Sequence, residues 1–270
     1  MRKTTISTLF GPILAAALLA TGTMAQATLQ EPGDAYSDVN HRIEMEELRL
    51  LAAHGNVAVQ YNLGVMYQSG HGVMQDYKAA AAWYRMAAGH GHSIAQYNLA
   101  TMHYSGQGIA QDYQAAAILF RMAAVRGLAI AQNNLGVMYS NGQGVAQDYH
   151  EAMSWYLKAA EQGLPIAQNN IAVMYMNGQG VAQDYQEALV WCRKAAEQRL
   201  PVAQNSMGIM YFKGKGVTPD PVQADMWFSL AAMAGHDHAQ AAKKIVEAGM
   251  SPEQITAAQA LTKEWLAKHP

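Results

Sequence analysis

The chain has 270 residues, of which 51% are hydrophobic and only 14% are charged. Its 18 lysines and arginines nearly balance its 20 aspartates and glutamates, which excludes the basic surface that nucleic acids and anionic membranes require. Its one cysteine, Cys192, excludes an internal disulfide.

The first 27 residues have the features of a secretory signal peptide. Arg2 and Lys3 form a short basic start, an apolar stretch covers residues 9–20, and small residues at 25–27 suit cleavage. The stretch is too short to span a bilayer comfortably, which takes about 20 residues. We therefore expect a periplasmic or secreted protein of Gram-negative type. Residues 1–27 carry two cations and no acidic residue, so the chain left after their cleavage would have a formal charge of about −4.

Glutamines recur every 36 residues along most of the chain, with no insertion or deletion between them. They are Gln60, Gln96, Gln132, Gln168, Gln204 and Gln240. Methionines from Met66 to Met210 and glycine pairs such as Gly142 and Gly144 keep the same step. A fixed period of this size is typical of a solenoid, in which each unit buries its apolar face against its neighbours. The predicted fold is an all-α, right-handed solenoid of stacked helix-turn-helix repeats.

The period also predicts the domain organisation. After the signal peptide at 1–27 we expect a linker at 28–40, an N-terminal half repeat at 41–56, five repeats at 57–236 and capping helices at 237–270. The repeats would divide at about 57–92, 93–128, 129–164, 165–200 and 201–236. In the C-terminal part, residues 239–246 resemble a degraded first helix of a repeat, and Ser251 with Gln254 would cap a last helix that ends near residue 268.

The third repeat illustrates the unit. Its first helix, helix A, is predicted over Ala129–Asn141, because spacings of three and four place Leu135, Met138 and Tyr139 on one face. The small residue Gly136 would let a second helix approach closely.

Gly142 and Gly144 predict a tight reversal after helix A, since glycine readily takes the left-handed conformation that closes a helix. A glycine-rich phosphate cradle is the alternative interpretation. It is disfavoured because no strand precedes the loop and no Gly-Lys-Ser/Thr follows it.

Asp148 is predicted to cap the second helix, helix B, and with Glu151 it resembles a capping box. Such a cap is worth about 1 kcal/mol. Arg199 stands where the other repeats have glycine, so a left-handed backbone there would cost roughly 1 kcal/mol. Cys192 takes the place of a core aromatic residue, which favours a buried thiol over a reactive one.

The repeated pattern resembles the Sel-1-like repeat, a relative of the tetratricopeptide repeat, over about residues 41–248. The third repeat reads in order Ala131-Gln132, Leu135-Gly136, Tyr139, Gly142, Gly144, Asp148, Ala152, Trp155, Ala159-Ala160 and Gly163. The resemblance implies an adaptor that binds a protein or peptide, since members of the family act in this way and secreted bacterial members resemble factors of envelope biology or host contact.

Two alternatives stay open. Some cysteine-rich secreted members of the family are penicillin-binding or β-lactamase-like, which would make the chain an envelope enzyme acting on β-lactams or peptidoglycan. Those members carry a cysteine pair in each repeat, which this chain lacks, and it has no Ser-x-x-Lys motif. We can name no catalytic residue, and the chain is not predicted to be an enzyme. The other alternative is a structural spacer without a specific partner.

The face of helix A opposite its core residues is the predicted partner-binding surface, because in related solenoids the A helices line the concave side. Amides on this face could pair with the backbone of an extended peptide, and aromatic residues could anchor its side chains. The candidates are Tyr61, Asn62, Tyr97, Asn98, Tyr104, Asn133, Asn134, Asn169, Asn170, Asn205 and Phe212. The alternative is that these asparagines bond to neighbouring helices and hold the superhelical pitch. The six glutamines, near the core border, are predicted to make structural hydrogen bonds to an adjacent loop.

No metal or cofactor is predicted. His90 with His92, and His236 with His238, have a spacing that could hold a metal, but the pairs are four repeats apart and too distant to share one ion. We interpret them as surface histidines. The recurrent methionines fall on the packed face, where methionine fills gaps, rather than in a copper site.

Overall fold

The structure is a computed structural model that describes residues 45–269. The expected signal peptide, the linker at 28–40 and residues 41–44 of the half repeat lie outside the described residues. The chain divides into units Met1–Glu47 and Leu48–Pro270, and the second unit holds the repeats.

Residues 45–269 form thirteen helices and no strands. They are α1 (45–53), α2 (Val57–Ser69), α3 (Tyr77–Gly89), α4 (Ser93–Ser105), α5 (Tyr113–Val125), α6 (Ala129–Asn141), α7 (Tyr149–Glu161), α8 (Pro165–Asn177), α9 (Tyr185–Glu197), α10 (Pro201–Lys213), α11 (Pro221–Met233), α12 (Asp237–Glu247) and α13 (Pro252–Lys268). The A helices of the five repeats are α2, α4, α6, α8 and α10, and the B helices are α3, α5, α7, α9 and α11. Each A helix packs on the B helix of its own repeat, and α4, α6, α8 and α10 also pack on the preceding B helix. This arrangement confirms the predicted all-α solenoid.

Close packing between the helices of one repeat depends on a small residue in helix A. Gly136 lies against the ring of Tyr156, and a Cβ built on Gly136 would be 2.7 Å from two ring atoms. In the fourth repeat the small residue is Ala172 and the aromatic position holds Cys192, which is fully buried. The Cys192 thiol donates to the Ala203 carbonyl over 3.3 Å, so the prediction of a buried core cysteine is confirmed.

Aspartates cap the B helices as predicted, but the expected capping boxes are wrong. The Asp148 carboxylate accepts the backbone N–H groups of His150 and Glu151 at 2.9 and 3.0 Å. The backbone N–H of Asp148 donates to the Tyr139 carbonyl, at 3.0 Å, and is therefore not free for the Glu151 side chain. The same holds at Asp184, whose N–H donates to Tyr175. In both repeats the aspartate N–H bonds a carbonyl of helix A and so closes the turn between helices A and B. It is therefore not available to the glutamate side chain, as a capping box would require.

The second glycine of each turn joins neighbouring repeats. Gly178 ends α8 with φ +65°, and its N–H donates to the Met174 carbonyl. Gly180, at φ +69°, lies against the first residue of the preceding B helix, because a Cβ built there would be 2.8 Å from the carbonyl carbon and oxygen of Tyr149. Gln179 adds a hydrogen bond of 3.2 Å from Nε2 to the Tyr149 hydroxyl.

The periodic glutamines also join repeats, which confirms that their hydrogen bonds are structural. Gln96 Nε2 donates to the Ala88 carbonyl over 3.1 Å, and Gln60, Gln132 and Gln204 make the equivalent bond. The acceptor is the last turn of the preceding B helix, or of α1 for Gln60, and not a loop as expected. Gln240 is exposed and departs from the pattern.

The C-terminal helices differ from the repeats. Ser251 and Gln254 form the predicted capping box at the start of α13. This last helix packs on α11, the last B helix, where the Trp265 ring meets Trp227 edge-to-face at 6.0 Å. Arg199 has the predicted left-handed backbone, with φ +64°, and its Nη1 donates to the His269 carbonyl over 3.0 Å.

One carboxylate is buried beneath these C-terminal helices. Asp225 of α11 is 0% exposed, and its Oδ1 lies 3.6 Å from Nζ of Lys243, which also pairs with Glu247 at 3.0 Å. Neither Asp225 oxygen accepts a hydrogen bond from the described residues. Burial raises the pKa of this carboxyl, and Lys243 opposes the shift.

Candidate functional site

The predicted partner-binding residues lie along one stripe of the A helices, and contacts join successive rungs. At the register of Asn133, the side chains of Tyr61, Tyr97 and Asn205 are half-buried, while Asn133 and Asn169 are 4% and 5% exposed. The stripe is therefore deepest in the third and fourth repeats.

Asn133 is buried and hydrogen-bonded within the solenoid, so it is not an exposed surface group. Its Oδ1 accepts a hydrogen bond of 2.9 Å from Asn170 Nδ2 in the next A helix, and its own Nδ2 donates to Asn134 Oδ1 over 3.2 Å. The first of these bonds ties α6 to α8, and the second lies within α6. For Asn133 and Asn170, the structure therefore agrees with the alternative that the asparagines bond to neighbouring helices.

The hydrogen bond between side-chain amides of successive A helices is not repeated between α8 and α10. Ser206 replaces the asparagine that would serve Asn169, and its hydroxyl donates to the Val202 carbonyl of its own helix over 2.9 Å. As a result, Oδ1 of Asn169 has no hydrogen-bond partner among the described residues, and neither has Oδ1 of Asn205. Buried amide oxygens without a partner are uncommon in folded proteins.

At the N-terminal end of the stripe the aromatic residues are engaged internally. The Tyr61 ring stacks on His92 with centroids 4.5 Å apart, and the Tyr97 ring lies 5.7 Å from Phe120. The Tyr104 hydroxyl donates to Gln143 Oε1 of the next repeat over 3.0 Å.

Two asparagines in this end, Asn62 and Asn98, are half-buried. The hydroxyl of Tyr84, in the B helix of the first repeat, donates to Gln68 Oε1 over 2.6 Å. Burial raises the pKa of Tyr84 to about 12, so this hydroxyl stays protonated and acts as a donor at neutral pH.

At the C-terminal end the stripe opens into exposed apolar side chains. Phe212 is 44% exposed, and Ile209 and Val202 of the same helix are also exposed. The candidates named from the sequence did not include Val202 and Ile209, which occupy the repeat positions of Ile130 and Val137 on this same face. Their place in the repeat was the signal that could have found them.

Comparison with protein-family models shows to which family the chain belongs. The family model described as Sel1 repeat matches residues 57–92, 93–127, 129–164, 165–200 and 201–236. The chain belongs to the Sel1 repeat family. Proteins built from Sel1 repeats are generally protein–protein interaction scaffolds.

Solved structures of other Sel1 repeat proteins are similar to this one. A Sel1 repeat protein from Oxalobacter formigenes is 29% identical with a TM-score of 0.72, and the match covers 86% of this chain and 94% of that one. The protein c5321, a protective antigen present in uropathogenic Escherichia coli strains, is 28% identical with a TM-score of 0.48, covering 83% of this chain and 64% of that one. No curated protein matched the chain.

The groups that could carry chemistry have structural roles in this Sel1 repeat protein. His92 caps α4 by accepting the Ala95 N–H over 3.1 Å, and burial lowers its pKa, which favours the neutral ring. Burial raises the pKa of the Cys192 thiol to about 12, which suppresses the nucleophilic thiolate. The periodic methionines are buried, from 7% exposed at Met66 to 0% at Met210, as expected for core residues.

Residues 45–269 contain no cluster of three or more metal-ligating side chains, and none of their helices is long and apolar enough to cross a bilayer. A surface hollow of about 610 Å³ lies beside α3 and is lined by residues that include Arg49, Tyr67, Asp76 and Lys78. Asp76 is committed there, since its carboxylate caps α3. Solenoids of Sel1 repeats are typically non-enzymatic.

Proposed function

We propose that this Sel1 repeat protein is an exported adaptor that binds a protein partner through the C-terminal part of its A-helix stripe. Export is supported by the basic start and short apolar stretch of residues 1–27. Protein binding is supported by membership of a family of interaction scaffolds.

The observation that carries the choice of surface is the group of exposed apolar side chains on α10, the helix that also carries Asn205. Asn169 and Asn205 offer amide oxygens that the described residues leave without donors, and Phe212 is exposed on the same helix as Asn205. Both oxygens are buried in the free chain, so a partner would reach them only if the side chains turned outward. Backbone N–H groups of an extended segment would then satisfy them, and a buried acceptor without a donor costs about 1–3 kcal/mol. The partner would thus present free backbone and an apolar side chain that packs on Phe212.

Charge contributes little to this surface. The helix α8 has no charged residue, and α10 has only Lys213. Recognition would depend on backbone hydrogen bonds and apolar contact, so binding should respond weakly to salt.

Crosslinking in the native envelope, followed by mass spectrometry of the captured proteins, tests the proposal. The variant N169A/N205A/F212A should lose the captured partner, and F212A, which changes an exposed side chain, should weaken capture without affecting the fold. The matched control E161A/Q186A/E197A changes three exposed residues of the B helices α7 and α9 and should capture normally. Equal capture by all variants, with unchanged circular dichroism, would contradict the proposal.

A further inference from the structure

Exposed apolar side chains also occupy the outer side of the second B helix. Ile118, Met122 and Val125 of α5 are 61%, 42% and 73% exposed. Their spacing of four and three residues puts them on one helical stripe. Met86 of α3, one repeat earlier in the register of Met122, is 42% exposed and extends the patch. We call these four residues the outer apolar face.

Later repeats do not expose apolar side chains in the register of Met122. In the third and fourth repeats that position holds Lys158 and Lys194. Their ammonium groups lie over the rings of Trp155 and Trp191, 3.9 and 4.1 Å from the ring centroids. A charged residue therefore replaces the apolar one and shields the indole beneath it.

In the fifth repeat the same positions are apolar again, and the chain covers two of the three. Met226 and Leu230, equivalent to Ile118 and Met122, are 5% and 3% exposed, whereas Met233, equivalent to Val125, is 67% exposed. The helix that packs on α11 and has no counterpart on earlier B helices is α13, which brings Leu261 and Trp265 to this core. The fold thus contains one example of what an apolar outer face of this register accepts, and it is an amphipathic helix.

The surroundings of the uncovered face specify the charge of its occupant. The helices α3 and α5 contain no acidic residue, whereas Lys78, Arg85 and Arg121 lie on them and Arg126 follows α5. None of these four forms an ion pair with the described residues, although Arg121 donates to the Tyr139 hydroxyl and lies over the Tyr139 ring. Arg126 lies close to the turn at Gly91 of the preceding repeat. The cations therefore border the outer apolar face on both repeats.

We infer that the outer apolar face binds an amphipathic helix of a protein partner, with apolar residues on one stripe and acidic residues beside it. The helix lies on α3 and α5 as α13 lies on α11, and its carboxylates pair with the cations of this face, which form no ion pair within the described residues. This surface is separate from the A-helix stripe and does not depend on it.

A synthetic helical peptide can serve as the probe for this surface. It keeps the apolar residues of Pro252–Lys268 and carries glutamate at the exposed positions of that helix, while its control carries lysine there. Fluorescence anisotropy should show that the glutamate peptide binds the mature protein at least tenfold more tightly than the lysine peptide. Its affinity should fall with added salt.

Variants drawn from the chain's own repeats test the location. I118S/M122K/V125E gives α5 the residues that α7 has at Ser154, Lys158 and Glu161, so the fold should be preserved. It should bind the glutamate peptide at least tenfold more weakly. Adding the reciprocal change S154I/K158M/E161V should not restore binding, because α7 would then carry an apolar stripe beside Glu151 and no lysine or arginine, whereas F212A alone should leave the binding of the parent protein unchanged.

Three results would overturn the inference. One is equal affinity of the glutamate peptide for the parent protein and I118S/M122K/V125E. Another is equal binding of the glutamate and lysine peptides. The third is capture of the parent protein by vesicles containing anionic lipid, lost in the triple variant, with no binding of the peptide, since the face would then be a membrane surface.

Discussion

The two glycines of one turn allow a sharp test of how the repeats are joined. Gly178 and Gly180 have nearly the same backbone, with φ of +65° and +69°. A Cβ on Gly178 would meet its nearest neighbours at 3.4 Å, an ordinary contact, whereas a Cβ on Gly180 would be 2.8 Å from backbone atoms of Tyr149. The substitutions Gly178→Ala and Gly180→Ala therefore share the conformational cost and differ only in the contact between repeats.

The magnitudes follow from these two terms. Alanine in the left-handed region costs about 1–2 kcal/mol, which should be the whole effect of Gly178→Ala. Overpacking against a neighbour adds about 1–3 kcal/mol, so Gly180→Ala should destabilise the protein by about 2–5 kcal/mol in total. Gly163, with φ +84° and nothing within 4 Å of a built Cβ, supplies a third variant that should match Gly178→Ala.

Equilibrium unfolding in urea, followed by far-ultraviolet circular dichroism, measures the three variants against the parent chain. The shift in midpoint gives each change in stability, provided that the slope is unchanged. If Gly180→Ala costs no more than Gly178→Ala, the contact of this loop with Tyr149 does not join the repeats as we have inferred.

Three further predictions concern buried polar groups. Gln132→Met removes two hydrogen bonds and should lower the free energy of unfolding in urea by about 1–2 kcal/mol. Gln96→Met removes one bond together with an unpaired amide oxygen and should lower it by less than about 1 kcal/mol. Equal losses in the two variants would contradict this difference. Burial raises the pKa of Asp225 in the folded state, so its ionisation opposes folding, and Asp225→Asn should gain thermal stability relative to the parent as pH rises from below about 4 towards neutrality; a relative loss would refute the sign. Arg199→Gly relieves a left-handed backbone worth about 1 kcal/mol but removes the bond to His269, so urea unfolding should show equal or greater stability while hydrogen exchange quickens in the last turn of α13; unchanged exchange there would mean that this bond does not hold the end of the helix.

The sequence predicts features that lie within one repeat, because they depend on local spacing. The bounds of α6, the aspartate caps and the left-handed position of Arg199 all follow from the period and from the chemistry of helix ends. The predicted capping box at Glu151 was wrong because a tertiary contact, the Asp148 N–H donating to Tyr139, takes the group that the box would need.

Features that depend on pairs of repeats were harder to predict. The burial of Asn133 follows from its bond to Asn170 in the next A helix, and a single repeat contains no sign of it. The packing of α13 on α11 is also non-local, since the sequence of α13 shows an amphipathic helix without naming its partner face. The sequence therefore predicted which positions of the repeat form the candidate stripe. The structure showed which of these side chains are exposed and which are buried or hydrogen-bonded internally.

Site-specific photocrosslinking tests whether the partner binds the A-helix stripe. A photoreactive phenylalanine analogue in place of Ile209 or Phe212, both exposed on α10, should crosslink the partner in the native envelope. The same analogue in place of Glu161 or Glu197, exposed on the B helices of the third and fourth repeats, should not. Crosslinks from the two glutamate positions with none from α10 would contradict the assignment of partner binding to the A-helix stripe.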